Sequence, residues 1–506
     1  MSTRVRNILL SCLAVALLFG ASRVQSALNR DRVKLGLTRI EPLENAPPVL
    51  AFTTVALGGF RGLISNALWI RANELQDEDK FFEMAQLSDW ITKLEPHFVQ
   101  VWLVQAWNMA YNISVKFTDY ADRWRWVKRG TELLRDDGLR YNPNELLIYR
   151  ELAWFFQHKL GQNLDDGSMY YKQRWADEMA AVFDKKKPNL DELIHPQTDD
   201  QKARARLLRE TYKMDPEFMK QVDERYGPLE WRLPEAHAIY WAALGLKKAG
   251  ENPSKIKPDD LITLRRVIYQ SMQLSFHRGR LIANPFVKAF EFGPNLDIVP
   301  KVSAAYEQAA AEDRPNQDHI ERAHKNFLKD AIYFLYENNR LQDSATWYKY
   351  LAQKYPDAHM IDGDTNSLPS RVTLDQYALS RIQDDVTGMS RDRVQSAVQG
   401  LIANSYMNLV VDEDDRAAGF KLLARKLRES YMNQIDKSRV DAIGLRPIEE
   451  IDKEVLAQML DPKEGAEPQI RAVLRTKLGL GPEDIVPSQT APAPTNSVPP
   501  KVSSTN

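Results

Sequence analysis

The feature that most constrains this chain is a helical hydrophobic period running almost unbroken from Leu63 to about Leu478. Apolar residues recur at spacings of three and four, with helix formers between them. Tyr149, Leu152, Ala153 and Phe156 form one such set, and Leu423, Leu427 and Tyr431 another. An amphipathic helix must bury its apolar stripe against something, so a chain made of many of them is expected to be all-α and to stack helix on helix. One stretch departs from the period. Arg280-Leu281-Ile282-Ala283 and Val287-Lys288-Ala289-Phe290-Glu291-Phe292 flank Asn284-Pro285, which reads as a small β-hairpin inserted between helices.

Composition narrows the function classes. Hydrophobic residues make up 43% and charged residues 27% of the 506, the balance of a globular protein. Lys+Arg 68 against Asp+Glu 69 removes the electrostatic footprint of a nucleic-acid binder. The single cysteine, Cys12, lies inside the N-terminal apolar run. The rest of the chain therefore has no disulfide, thiolate metal site or cysteine nucleophile. A chain this long can bury a sufficient core without disulfides, so their absence does not argue against an oxidising compartment.

The N-terminus carries an address. Arg4 and Arg6 precede a charge-free stretch from Asn7 to Ser22 with an apolar centre, the pattern of a secretory signal or an uncleaved signal anchor. Arg23, Arg30, Arg32 and Lys34 follow it, so charge does not decide between the two orientations. A second apolar stretch, Val49 to Ile70, holds Arg61 and is interrupted by Gly58, Gly59 and Gly62. Those features favour a linker leading into the first buried helix over a membrane span. The expected organisation is a signal peptide or anchor over 1–25 and a juxtamembrane linker over 26–62. N-terminal helical repeats over 63–184 and a helical insertion over 185–233 follow. A second helical region occupies 234–481, and the proline-, serine- and threonine-rich 482–506 reads as a disordered tail.

Internal recurrence then specifies how the helices pair. A large residue followed four positions later by a small one appears as Leu68 and Ala72, Trp102 and Ala106, Tyr149 and Ala153, and Trp241 and Gly245. Leu75 and Phe156 supply the next large side chain on the same face, and Ile91, Leu94 and Pro96 close a second helix. Tyr348, Leu351 and Pro356 repeat that closure further on. This pattern resembles the tetratricopeptide repeat, a helix pair of about 34 residues. In physical terms, the small residue lets two helices approach and the large one fills the space between pairs; the proline ends the second helix. The repeats are degenerate. The unit between Pro96 and Pro143 is about a dozen residues longer than the ~34-residue period, and Thr131 and Ser344 stand where the family prefers alanine. The resemblance implies a tetratricopeptide-like α-solenoid of antiparallel helix pairs. The run from Leu57-Gly58-Gly59-Phe60-Arg61-Gly62 through Tyr111-Asn112 also resembles bacterial envelope proteins that carry such repeats.

In that family the first helix of each pair lines a concave groove for extended peptides or partner helices. Carried over, the partner-facing positions are Asn66, Trp69 and Asn73, then Trp107 and Tyr111, then Arg150, Trp154 and His158. Aromatic and arginine side chains dominate binding hot spots; the alternative is that Trp107 and Trp154 are simply core against the insertions. Ten of the eleven tryptophans fall between Trp69 and Trp241, and Trp124-Arg125-Trp126 could offer ring platforms to a glycan. The histidines are dispersed and form no ligand spacing, with His237 read as a packed or capping residue. Asp362-Gly363-Asp364-Thr365-Asn366 begins like a calcium loop, but Ser367 and Thr373 replace its glycine and bidentate glutamate, so it reads as a surface loop. Asp412-Glu413-Asp414-Asp415 reads as an acidic turn between two helices.

The expected function is a non-enzymatic scaffold at the bacterial cell envelope, membrane-anchored or secreted to the periplasm. It would bind a protein partner, with no cofactor, metal or nucleic acid. The alternative from another class is an envelope carbohydrate-binding or carbohydrate-active protein using the tryptophan-rich half.

Overall fold

The computed structural model describes residues 61–183, 188–251, 258–284, 289–383, 391–434, 445–462 and 465–481, with parts of 16–31. The tail over 482–506, most of the linker before Arg61 and most of the N-terminal apolar run lie outside those residues. Among the described residues no helix is long and apolar enough to cross a membrane. The fold is all-α and solenoid-like, helix packing on neighbouring helix, with one two-stranded sheet among the described residues. The chain divides into two compact units, Met1–Asn108 and Met109–Asn506.

In the first unit, α1 (Arg61–Asp77) and α2 (Phe81–Leu94) form a pair, and α3 (Val99–Trp107) packs on α2. A three-residue connection leaves two helices no arrangement but antiparallel. Asp79 takes the left-handed conformation at φ 58° that this reversal needs, a conformation that asparagine and aspartate tolerate best after glycine. Ala72, Leu75 and Met84 make the centre of this pair's core. The Trp102 indole donates to the Pro96 carbonyl at 2.8 Å, and Asn108 donates to the Phe81 carbonyl at 3.1 Å. The sequence suggested a buried first helix, and the structure buries only part of it. Ser65, Ala72 and Leu75 are buried, but Leu63 is 65% and Ile70 61% exposed. The apolar residues of α1 surround the helix, so one neighbouring pair cannot cover them all.

The chain enters the second unit along a wide π-helical turn, Asn108–Ile113, and continues through α4 (Tyr120–Glu132) and a second such turn, Leu133–Gly138. Helix α5 (Leu146–Trp154) runs into a third, Phe155–Leu160, followed by α6 (Ser168–Phe183). The expected insertion is three helices, α7 (Asp191–Ile194), α8 (Asp199–Glu210) and α9 (Pro216–Tyr226). Their starts are written in the sequence. Thr198 and Gln201 form a reciprocal capping box on α8, while Asp215 caps α9 just before Pro216.

The stack resumes with α10 (Pro234–Glu251) and α11 (Pro258–Arg278). Helix α10 packs directly on α5, so the inserted helices are bypassed. The contact is close: a Cβ on Gly245 would sit 3.0 Å from the Tyr149 Cβ and 3.2 Å from Leu264 of α11. Helix α10 is apolar nearly all round and correspondingly buried nearly all round, from Pro234 to Ala243. The hairpin forms as expected, with β1 (Arg280–Asn284) antiparallel to β2 (Ala289–Gly293) and Arg280 opposite Gly293.

Three more helices follow, α12 (Val299–Glu312), α13 (Gln317–Glu337) and α14 (Leu341–Lys354), each packed on the one before it. Then come α15 (Leu374–Gln383), α16 (Arg391–Val410), α17 (Asp414–Gln434), α18 (Ile448–Met459) and α19 (Pro468–Lys477). Asn339 and Asp412 turn α13 into α14 and α16 into α17 at φ 58° and 62°, as Asp79 does in the first unit. On α16, Val394, Val398, Ile402, Tyr406 and Val410 form a stripe at four-residue spacing, buried against Leu427, Ile451, Val455 and Leu474. Each such fully buried aliphatic side chain contributes roughly 1.5–3 kcal/mol over an exposed one.

Candidate functional site

The partner-facing residues expected from sequence fall in both units, and each group stands on its own. In the first unit Asn66 and Asn73 are exposed on α1, and Trp69 lies between them, half-buried. Its ring rests 5.8 Å from that of Phe98. Trp107, at the end of α3, is 40% exposed, a large apolar ring left partly in water.

In the second unit Tyr111, Trp154 and His158 come together. Trp154 and His158 are one turn apart and stack with centroids 4.5 Å apart at 18°. The His158 Nδ1 lies 3.1 Å from the Tyr111 hydroxyl. Arg150 occupies the same face one turn earlier, 3.9 Å from the Glu151 carboxylate. Tyr111 and His158 both sit on wide π-helical turns, which shift side chains off the regular helical register. The opposite face of α5 is core, with Leu152 and Ala153 fully buried.

Electrostatics define what this cluster can do. Burial, assisted by neighbouring Lys159, pushes the His158 pKa below its ordinary value, so the ring is neutral at pH 7. Burial, with Glu151 and Asp165 nearby, pushes the Tyr111 hydroxyl far up and keeps it protonated. Burial raises Glu151 too, with Arg150 opposing. The surface is thus an aromatic, hydrogen-bonding one with Arg150 as its cation. It suits stacking and backbone recognition more than proton transfer.

Behind it lies a buried charge cluster that sequence reasoning did not find. Lys159 pairs with Asp165 at 2.6 Å, and its ammonium lies 5.1 Å from the centre of the Tyr111 ring. Lys172 donates to the Asn163 side chain at 2.9 Å and to the Gln162 carbonyl at 3.2 Å, while Arg278 bonds the Gly161 carbonyl and reaches Glu235 at 3.1 Å. Burial, reinforced by Arg278, brings Lys172 down to about 8, and burial raises the Glu235 carboxyl. Together these groups pin the loop that joins Leu160 to α6. The only trace in the sequence is a lysine set among apolar residues, which does not name its partners.

The tryptophan platforms resolve differently from expectation. Trp124 and Trp126 do not offer a pair of open platforms. Trp124 is buried and stacked on Tyr171, and Trp126 is half-buried against Phe117. His237 is a packed histidine, its Nε2 2.9 Å from the Trp231 carbonyl. The loop at Asp362 is exposed, turns at Gly363 with φ +80°, and ties back to Lys329 at 3.0 Å. Among the described residues no group of three or more histidines, cysteines and carboxylates is placed to hold a metal ion. No protein-family model, curated protein or solved structure matches the chain.

Proposed function

We propose that this chain is a tetratricopeptide-like, non-enzymatic scaffold of the bacterial cell envelope that binds a protein partner on the faces of its first helices. The observation that carries the reading is the asymmetry of α5. One side is fully buried, while Arg150, Trp154 and His158 remain half-exposed on the other. A tryptophan kept partly in water beside an arginine is the composition of an interface hot spot. Partly exposed Trp107 and Trp69 give the first unit a similar face. The basic Arg4 and Arg6 followed by the apolar run support delivery to the envelope, either anchored or released to the periplasm.

The test is crosslinking capture from native membranes with the full-length protein, compared with a variant carrying Trp107→Ala, Arg150→Ala and Trp154→Ala. A defined protein recovered by the wild type and lost in the folded variant supports the reading. Unchanged recovery rejects the assignment of these faces.

A further inference from the structure

Helices α9, α10, α11 and α12 of the second unit enclose a groove of about 760 Å³. Its volume falls within the roughly 300–1,000 Å³ typical of pockets that take one small molecule. Small side chains create the space: Ala243 and Gly250 of α10 and Ala305 and Ala309 of α12 stand where larger residues would close the packing. Phe218 and Ile268 add to its apolar lining.

The charges at the groove are unbalanced. Arg265 is neutralised by Glu312 at 2.8 Å. Arg225 and Lys247 are exposed and have no carboxylate within ion-pair reach among the described residues. Both are held against aromatic rings that line the groove. The Arg225 guanidinium lies 5.2 Å from the Tyr226 ring centre, and the Lys247 ammonium 4.8 Å from that of Phe218. An apolar trough whose rim carries uncompensated positive charge is complementary to a molecule with a long apolar tail and an anionic head.

We propose that this groove binds a single long-chain fatty acid, its chain along the alanine-lined trough and its carboxylate attracted by the exposed cations Arg225 and Lys247. An acidic amphipathic helix shares the charge but fits less well. Helix recognition spreads anchors over two turns or more and usually buries about 800 Å² per partner, beyond what a one-molecule pocket offers. The groove uses none of the residues of the partner-binding faces, so either reading can fail alone.

The test uses full-length protein stripped of lipid on a hydrophobic resin and titrated calorimetrically with palmitate below its micellar concentration. Hexadecanol and an acidic amphipathic peptide serve as comparison ligands. The wild type is expected to bind one palmitate per chain. Arg225→Gln with Lys247→Gln should weaken palmitate about tenfold and leave hexadecanol unchanged, because only the head-group attraction is removed. Ala305→Trp should abolish binding of both by filling the trough. Circular dichroism confirms that each variant is folded, and the charge pair, being exposed, guards against a misfolded tryptophan variant. Absence of saturable palmitate binding overturns the proposal. So does palmitate binding that is indifferent to both the charge pair and the tryptophan, or saturable binding of the peptide that palmitate does not displace.

Discussion

His237 shows what enclosure does to one titratable side chain. Its ring is fully buried among Phe156, Trp175 and Trp231, and burial lowers its pKa from 6.5 to about 4. The unfolded chain therefore takes up a proton as pH falls through about 6.5, whereas the folded chain does not until about 4. Stability linked to this residue is intact above that window and declines on acidification across it, by an amount on the order of 3 kcal/mol. Buried carboxyls with raised pKa values, such as Glu235, shift stability the opposite way, so the informative quantity is a difference. His237→Gln is expected to flatten the fall in urea-unfolding free energy between pH 6.5 and 4 relative to the wild type. An unchanged slope would show that the ring is protonated in place. Thr131 and Ser344 carry a related lesson. Their departure from alanine was legible in the sequence, but its resolution was not: each hydroxyl bonds a backbone carbonyl, Val127 at 3.1 Å and Ile332 at 2.8 Å.

Between elements, two glycines set how closely helices approach. A Cβ on Gly419 of α17 would overlap the Glu337 carbonyl at the end of α13, and backbone cannot give way as a side chain can. Gly419→Ala is expected to cost about 3 kcal/mol or more despite alanine's better helix propensity, read as a lowered midpoint in urea. A loss under about 1 kcal/mol would mean the two helices part readily. Gly245 is milder, because its neighbours are the Tyr149 and Leu264 side chains at 3.0 and 3.2 Å. Gly245→Val should cost roughly 2 kcal/mol by the same assay, and Gly245→Ala less. The second glycine was foreseeable because it falls four residues after Trp241 in the repeat pattern. The first was not, since nothing local in α17 announces the helix end it crosses. The three wide turns at Asn108, Leu133 and Phe155 were also hidden. Their residues, Asn-Met-Ala-Tyr-Asn-Ile, Leu-Leu-Arg-Asp-Asp-Gly and Phe-Phe-Gln-His-Lys-Leu, share no pattern that marks a wide turn.

At the scale of the molecule, helical period and the large-then-small pairs were enough to foresee a stack of antiparallel helices, because each reports a burial requirement that only neighbours can meet. The pattern is lost between Lys185 and Leu233, and α10 packs directly on α5 across that stretch. The candidate site was legible only in part. Spacing along α5 put Arg150, Trp154 and His158 on one face, but the meeting of His158 with Tyr111 depends on two wide turns. The charge cluster and the groove depend on residues far apart in the chain. The central claim is that the half-exposed face of α5 is where a protein partner docks. The most direct measurement replaces Trp154 with a photo-crosslinking amino acid in the full-length protein in native membranes. A second position, exposed Arg206 of the inserted α8, serves as the comparison. The expected result is a discrete crosslinked species from position 154 that is absent from position 206 and lost when Arg150→Ala is added. Equal crosslinking from both positions, or none from position 154, would contradict the account.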